Sequence, residues 1–364
     1  MISKIVTLGD VCNKGSSNIA QKDLVDRDGI YPIYGAAGYI KNVDFAHQDK
    51  PYLAVVKDGA GIGRVMKLPA NSSIIGTMQY ILPKGNIDID YLYFALQYMN
   101  LSKYFSGSTI PHIYFRDYQK EKLPLPELSE QQGKAYVLLR IEQLIEYYHQ
   151  QLTKLDELVK SQFIEIILPL IKSNCTVALD DLVEDDRPIT YGILKPGTGV
   201  EGGIPVVKVK DMQNGVIDQT DLLRTSVEID QQYKRSRLRA GDLLISIRGS
   251  VGRLAEEPNS LENANITQDT ARLTIKPAYN RIYIRGVLES YPLQMDMEKN
   301  IRGVAVKGIN IGYLRQLPIP MCPRTQQDYL AGLYQQADKS KLAVKQSLEK
   351  LETLKKSLMQ QYFG

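Results

Sequence analysis

The sequence has no tryptophan, three histidines and three cysteines in 364 residues. Cys12, Cys175 and Cys322 lie more than a hundred residues apart, which gives neither a disulfide framework nor a zinc-ligand spacing and points to a reducing cytoplasm. Long apolar runs are also missing. The opening stretch MISKIVTLGD has too short an apolar segment for a signal peptide, and nothing approaches the roughly 18 uninterrupted apolar residues of a membrane span. The familiar catalytic signatures are absent too: no phosphate loop, no Gly-x-Ser-x-Gly nucleophile elbow, and no Asn-Pro-Pro or Asp-Pro-Pro turn of an amino-methyltransferase. Gly59-Ala60-Gly61-Ile62-Gly63-Arg64 imitates a dinucleotide fingerprint but ends in arginine, with no acidic residue well placed after a following strand, and reads as a tight turn between strands. His47, His112 and His149 stand apart from one another, so surface or interface roles are expected of them and no metal site is.

What remains is an ordinary folded composition, 43% hydrophobic and 24% charged, too apolar for disorder and long enough for two domains with connecting structure. A net charge of +4 neither requires nor excludes a polyanionic partner, so the local distribution of charge has to decide.

The chain matches itself. Lys122-Leu123-Pro124-Leu125-Pro126 resembles Gln316-Leu317-Pro318-Ile319-Pro320, and Glu130-Gln131-Gln132 resembles Thr325-Gln326-Gln327. Ile62-Gly63-Arg64-Val65 resembles Val251-Gly252-Arg253-Leu254, and Leu158-Val159-Lys160-Ser161 resembles Leu354-Lys355-Lys356-Ser357. Four matches in one order, near an offset of 195 residues, indicate a duplication: domain, long helix, domain, long helix.

Each Leu-Pro-x-Pro is followed by a helix start, a capping box from Ser129 with Gln132 and a weaker one from Thr325 with Asp328. A 3-4 alternation then runs through Leu138, Ile141, Ile145, Tyr148, Leu152, Leu155, Val159 and Ile166, broken at Gln162 and stopped by Pro169. The second helix repeats it through Leu330, Tyr334, Ala337, Val344, Leu348, Leu351, Leu358 and Tyr362, with Lys341 and Lys355 as polar members. About 40 residues make a rod of roughly 60 Å, so the two seams are expected to bury each other as an antiparallel coiled coil. The segments before the helices carry short β-rich runs, such as Tyr52-Leu53-Ala54-Val55-Val56 and Leu243-Leu244-Ile245, broken by glycine. The expected fold is α+β: domain 1 over residues 1–128, a central helix over 129–168, a linker over 169–176, domain 2 over 177–323 and a C-terminal helix over 324–364.

Basic residues sit on the turns. Arg248-Gly249-Ser250-Val251-Gly252-Arg253 follows an apolar strand and would project two guanidinium groups from a rigid base, as phosphate or guanine edges require. Lys57 and Arg64 are its expected counterparts in the first half; Lys208 and Lys210 end another strand, and Lys234, Arg235, Arg237 and Arg239 form a run without an acid. With 23 tyrosines and no tryptophan, this suits a polar, hydrogen-bonding recognition surface.

At these residues the chain resembles the DNA-specificity subunits of type I restriction-modification enzymes. The resemblance rests on Gly241 to Arg253 (GDLLISIRGSVGR), Ile204 to Gly215 (IPVVKVKDMQNG), Leu317-Pro318-Ile319-Pro320 with Thr325-Gln326-Gln327, and the closing Leu354 to Phe363 (LKKSLMQQYF). In the first half Tyr31 to Ile40 (YPIYGAAGYI) is of the same kind, while Lys57-Asp58-Gly59 departs from the Arg-Gly-Ser turn of the second. The resemblance implies two target-recognition domains on a helical spacer that read the halves of a split site in double-stranded DNA. It implies two docked modification subunits, restriction subunits in systems that cut, and a non-catalytic chain without a cofactor, S-adenosylmethionine and ATP lying on the partners. The DNA-contacting set it suggests is Tyr39, Lys41, Lys57, Arg64, Tyr191, Lys195, Lys208, Lys210, Lys234, Arg235, Arg237, Arg248, Arg253 and Lys307. The residues alone leave two other readings open, a helical adaptor whose domains bind protein and a small-molecule phosphate-binding enzyme.

Overall fold

The computed structural model describes residues 4–107, 111–303 and 307–364 and divides into two compact units, Met1–Gln150 with Val344–Gly364, and Gln151–Ala343. In the first, β1 (Lys4–Thr7) passes through one helical turn, α1 (Leu8–Val11), into β2 (Cys12–Ser16). The hairpin β3 (Tyr31–Gly35) and β4 (Gly38–Val43) precedes β5 (Tyr52–Val56), β6 (Val65–Leu68), β7 (Ser73–Ile74) and β8 (Met78–Pro83). Two sheets result, in the orders β2-β8-β5-β6 and β4-β3-β7. Every residue of β5 is buried, because the strand is central and covered on both faces. Leu53 and Val55 pack with Leu92 and Leu96 of α2 (Ile89–Met99), while Tyr52, Ala54 and Val56 pack with Ile74 and Tyr34 of the smaller sheet. An unbroken apolar run is what such a strand requires. After α3 (Phe115–Tyr118), β9 (Lys122–Leu125) pairs antiparallel with β1 and leads into α4 (Leu128–Lys172).

The second unit repeats this plan and adds one antiparallel pair. Its strands are β10 (Thr176–Ala178), β11 (Thr190–Tyr191), β12 (Ile204–Val207), β13 (Met212–Gln213), β14 (Val216–Ile217), β15 (Leu223–Thr225), β16 (Leu243–Ser246), β17 (Leu254–Glu256), β18 (Asn265–Ile266), β19 (Thr270–Leu273) and β20 (Pro318–Pro320). The sheets run β11-β19-β16-β17 and β15-β12-β18, the added pair is β13 with β14, and β10 pairs with β20 as β1 does with β9. Even the parallel pair recurs, β3 with β7 and β12 with β18. Its helices are α5 (Val227–Gln232), α6 (Arg281–Glu289), α7 (Tyr291–Lys299), α8 (Ile311–Arg315) and α9 (Arg324–Phe363). The duplication is therefore physical, but its offset drifts from 189 residues at Gly63 and Gly252 to 196 at Gln131 and Gln327, since the copies differ in loop length.

The helix starts depart from the sequence reading. Both long helices begin before the expected capping residues Ser129 and Thr325, and a buried glutamine makes the junction instead. Gln131 accepts from the Asp88 amide at 2.9 Å and donates to the Pro126 carbonyl at 2.8 Å; Gln327 accepts from the Asn280 amide at 3.0 Å and donates to the Cys322 carbonyl at 2.8 Å. One side chain thus satisfies backbone groups beside the starts of two helices, which a solvent-facing serine does not reach. Pro169 does not stop α4 either: the helix continues to Lys172, because an exposed proline in the last turn forfeits only one bond, to the exposed Glu165.

Within each unit a portion of α4 lies antiparallel to a portion of α9. Glu142 pairs with Lys355 at 2.6 Å in the first unit and Asp156 with Lys341 at 2.5 Å in the second, fourteen residues further along one helix and fourteen back along the other. The polar seam positions are thus ion-pair positions. Of the expected seam, Leu138, Ile141 and Val159 are buried, and Ile145, Tyr148, Leu152, Leu155, Val344, Leu348, Leu351 and Leu358 are half-buried. Beyond Val159 the alternation fails. Phe163 and Ile167 enter the core in place of Gln162 and Ile166, Phe163 stacking on Tyr283, because there the helix packs on its own domain. Among the described residues no helix is long and apolar enough to cross a membrane.

Replacing Gln131 or Gln327 by leucine leaves a buried amide and a carbonyl without partners, and each substitution is expected to cost about 1–3 kcal/mol, read as a lower urea midpoint.

Candidate nucleic-acid interface

The glycine turn between β5 and β6, and its counterpart between β16 and β17, are held by one set of backbone bonds. The amides of Lys57 and Asp58 donate to the Thr77 carbonyl, and those of Ile247 and Arg248 to the Asp269 carbonyl. Gly59 donates to Pro111 at 3.0 Å and Gly249 to Lys307 at 3.1 Å; Ile113 donates to Lys57 and Ile309 to Ile247, both at 2.9 Å. A bridge of Ser106 with His112 recurs as Arg302 with Gly308. Gly63 and Gly252 close the turns at φ near +80°, and a Cβ on Gly63 would sit 2.6 Å from the Ser102 amide nitrogen.

This frame corrects the correspondence read from sequence. Lys57 stands at the position of Ile247, and the counterpart of Arg248 is Asp58. Arg64 and Arg253 do match, and they do the same work. Arg64 donates to the Ala36 carbonyl at 3.0 Å, and Arg253 to the Val209 and Met212 carbonyls at 3.1 and 3.2 Å, each clamping the segment that follows β3 or β12. Arg248 is exposed, among the described residues its guanidinium donates only to the Gln268 side chain, at 3.1 Å, and Lys307 and Arg302 lie beside its turn.

The basic run of the second half lies between β15 and β16, where residues 226–242 replace a connection of residues 44–51 in the first half. Its base is a buried polar network. Asp242 accepts from Arg187 at 2.9 Å, from the Arg239 amide at 2.8 Å and from Thr274 at 2.6 Å. Arg272, 1% exposed, donates to the Arg235 and Pro188 carbonyls at 3.1 and 3.3 Å. Burial, with Arg187 nearby, pulls the Arg272 guanidinium down to about 10 against the pull of Asp242. Asn265 donates to the Tyr233 carbonyl and to buried Asp230. Arg237 lies on that same Asp230, with a 2.9 Å bond from its Nε, and Arg239 faces Glu184 at 3.6 Å. The run therefore does meet acids in space, and Lys234 and Arg235 are the two of its cations without an ion pair among the described residues. With Tyr191, 44% exposed, they border a cleft of about 490 Å³. A fixed backbone under exposed cations suits a polyanion, because little side-chain order has to be added on contact.

The remaining candidates are scattered. Lys41 is tied to Asp28 at 2.5 Å and to the Leu24 carbonyl. Lys57 lies 3.8 Å from Asp58, and Lys210 lies 3.8 Å from both Asp211 and Asp221. Tyr39 is exposed at the β3–β4 hairpin with its hydroxyl on Asn42, Lys195 is exposed beyond β11, and Lys208 is half-buried. The sequence reading missed Asp58, Arg302 and His112. Far from isolated, His112 Nδ1 lies 2.6 Å from Asp58 Oδ1. A further internal match, Ser106-Gly107 with Arg302-Gly303, would have exposed them. Among the described residues no group of three or more His, Cys, Asp or Glu is placed to hold a metal ion.

Because Arg253 clamps two carbonyls and Arg248 clamps none, Arg253→Ala is expected to lower stability by about 1 kcal/mol and Arg248→Ala to leave it within about 0.5 kcal/mol, compared by urea denaturation.

Residues 3–157 match the family model of the type I restriction modification DNA specificity domain. The match falls on the half whose Lys57-Asp58-Gly59 turn departs from the Arg-Gly-Ser pattern. The specificity subunit of the type I restriction enzyme EcoBI from Escherichia coli is 28% identical over 293 residues, 71% of this chain and 61% of that protein, so the chain spans about three-fifths of its relative's length. The S subunit of a type I restriction-modification system from M. genitalium shares the fold, with a TM-score of 0.65 at 14% identity over 99% of this chain and 96% of that one. A chain solved in work on complex assembly and conformational transition of the type I system gives 0.53 at 15% identity over 99% and 97%. Over residues 3–157, somewhat under half of its length, the chain is thus similar to the DNA specificity domains of type I restriction-modification systems, and over nearly its whole length it shares the fold of an S subunit solved from such a system.

Proposed function

We propose that this chain is the DNA-reading subunit of a type I restriction-modification assembly, with residues 1–128 and 177–323 as its two target-recognition domains. The observation that carries this is one backbone frame built twice, presenting different exposed side chains each time. A duplicated reader with unlike contacts fits a split site with unlike halves. The chain itself is non-catalytic in this reading, and methyl transfer from S-adenosylmethionine, with any ATP-driven cutting, belongs to partner chains. Two modification subunits dock on it, and restriction subunits join in systems that cut.

In the second half, Lys234 and Arg235 are assigned to phosphates and Arg248, with Lys307 beside it, to a base edge. The division follows from placement: the first pair lies on a broad cleft rim, the second on a narrow rigid turn. The ion-paired Lys41 and Arg237 and the clamping Arg64 and Arg253 support the frame more than the contact.

The test is retention of duplexes from a randomised pool by the full chain together with the subunits that co-purify with it. Two separated conserved blocks are expected, and one contiguous block or none would contradict the reading. Neutralising Lys234 and Arg235 together should flatten the slope of log K against log salt by about 2 without changing the sequence retained.

A further inference from the structure

The two glycine turns are superimposable in their hydrogen bonds and opposite in their chemistry. At the position where the second half carries Arg248, the first carries Asp58, on backbone amides donated alike to the Thr77 and Asp269 carbonyls. The residue facing each also changes. Gly308 faces Arg248, and a Cβ there would lie 2.8 Å from the arginine's own Cγ and 2.6 Å from the Ile247 carbonyl, so the arginine needs glycine opposite it. His112 stands at the place of Gly308 and holds Asp58 Oδ1 at 2.6 Å. Among the described residues the ion partner of Asp58 Oδ2 is Lys57, at 3.8 Å. The His112 ring is stacked on Tyr114, 46% exposed, which carries the Arg116 guanidinium 4.9 Å from its ring centre. The carboxylate is thus oriented by one oxygen and left with acceptor capacity on the other, on a side chain that is partly exposed.

We propose that Asp58 is a specificity-determining residue that accepts a hydrogen bond from the exocyclic amino group of a base, cytosine N4 or adenine N6, while Arg248 donates to the acceptor edge of guanine in the other half-site. The inference rests on the DNA-reading function proposed above. A carboxylate cannot be a phosphate contact, since like charges repel, so its place on this turn is explained by a base edge that donates. Cytosine N4 and adenine N6 are the major-groove donors, and guanine O6 and N7 are the acceptors that an arginine reads. His112 is then a positioning residue: it fixes the carboxylate without touching the base.

The experiment repeats the randomised-duplex selection with the full chain and its co-purifying subunits, for wild type, Asp58→Asn, Asp58→Ala, Asp58→Arg and Arg248→Gln. Asp58→Asn keeps an oxygen toward His112, and its melting temperature should stay near that of wild type, so it carries the test for a fixed cytosine even where Asp58→Arg fails to fold; for a fixed adenine Asp58→Ala, which removes the acceptor, should erase the preference, and a folded Asp58→Ala that keeps it overturns the proposal. Wild type is expected to fix cytosine or adenine at one position of one block and guanine at one position of the other. Asp58→Asn should reduce a fixed cytosine roughly tenfold and move the preference toward adenine, or keep adenine if that is the native base. Asp58→Arg should convert the same position to guanine, and Arg248→Gln should alter only the other block, moving its guanine toward adenine. A folded Asp58→Asn that moves no fixed cytosine, or a folded Asp58→Arg that leaves its block unchanged, makes the Asp58–His112 pair structural and overturns the proposal. So does an equal loss on every sequence. A wild-type chain that retains no duplex overturns the DNA-reading function itself, which separates that failure from the failure of this inference.

Discussion

A buried backbone amide or carbonyl must find a partner, at a penalty of about 1–3 kcal/mol when it does not, and most of this fold follows from how that requirement is met. Each domain has a helix beginning next to a second, much longer helix, with a proline-rich strand between them. One glutamine resolves the junction in each half, Gln131 and Gln327, by accepting from one backbone and donating to the other. The hydroxyls of Tyr91 and Tyr283 secure the same strands through the Pro124 and Pro320 carbonyls at 2.9 and 2.7 Å. With the backbone satisfied by a repeated set of bonds, the outward side chains are released from any structural duty and diverge freely.

That separation of frame from contact is visible among the arginines. Arg64 and Arg253 belong to the frame, each clamping the segment after an equivalent strand. Arg187 and Arg272 belong to it more deeply, sunk among Asp242, Thr274 and backbone carbonyls under the basic run. Arg248, Lys234 and Arg235 are exposed and have no ion pair among the described residues. Charge alone does not distinguish these roles. What does is whether the guanidinium already has carbonyl or carboxylate partners, since a donor satisfied within its own domain has little to gain from a ligand.

The duplication, the α+β domains and the long helices were legible in the sequence because they depend on periodicity and order, as in the alternating seam through Leu138 and Ile141 and the all-apolar β5. The capping residue of the central helix was misassigned because Ser129 offers a local signal for capping, whereas the bond that forms reaches from Gln131 to Asp88, 43 residues away in the chain. The site was less legible for the same reason. That Arg237 meets Asp230 and that Asp58 meets His112 are facts of three-dimensional pairing that spacing does not encode. The correspondence of Asp58 with Arg248 was hidden by the drifting offset between the halves, and the neighbouring Lys57 looked like the better match by charge.

The central claim is that equivalent frames carry unlike contacts, so that each half of the chain reads its own half-site. It is tested most directly by a chain in which residues 177–323 are replaced by a second copy of residues 1–128, joined at the shared β-strand and helix-start positions, and assembled with the co-purifying subunits. Selection from randomised duplexes should then return two blocks of the same sequence in symmetry-related orientation. Retention of the two unlike wild-type blocks by that protein would show that the recognition does not reside in the domains, and the account would fail.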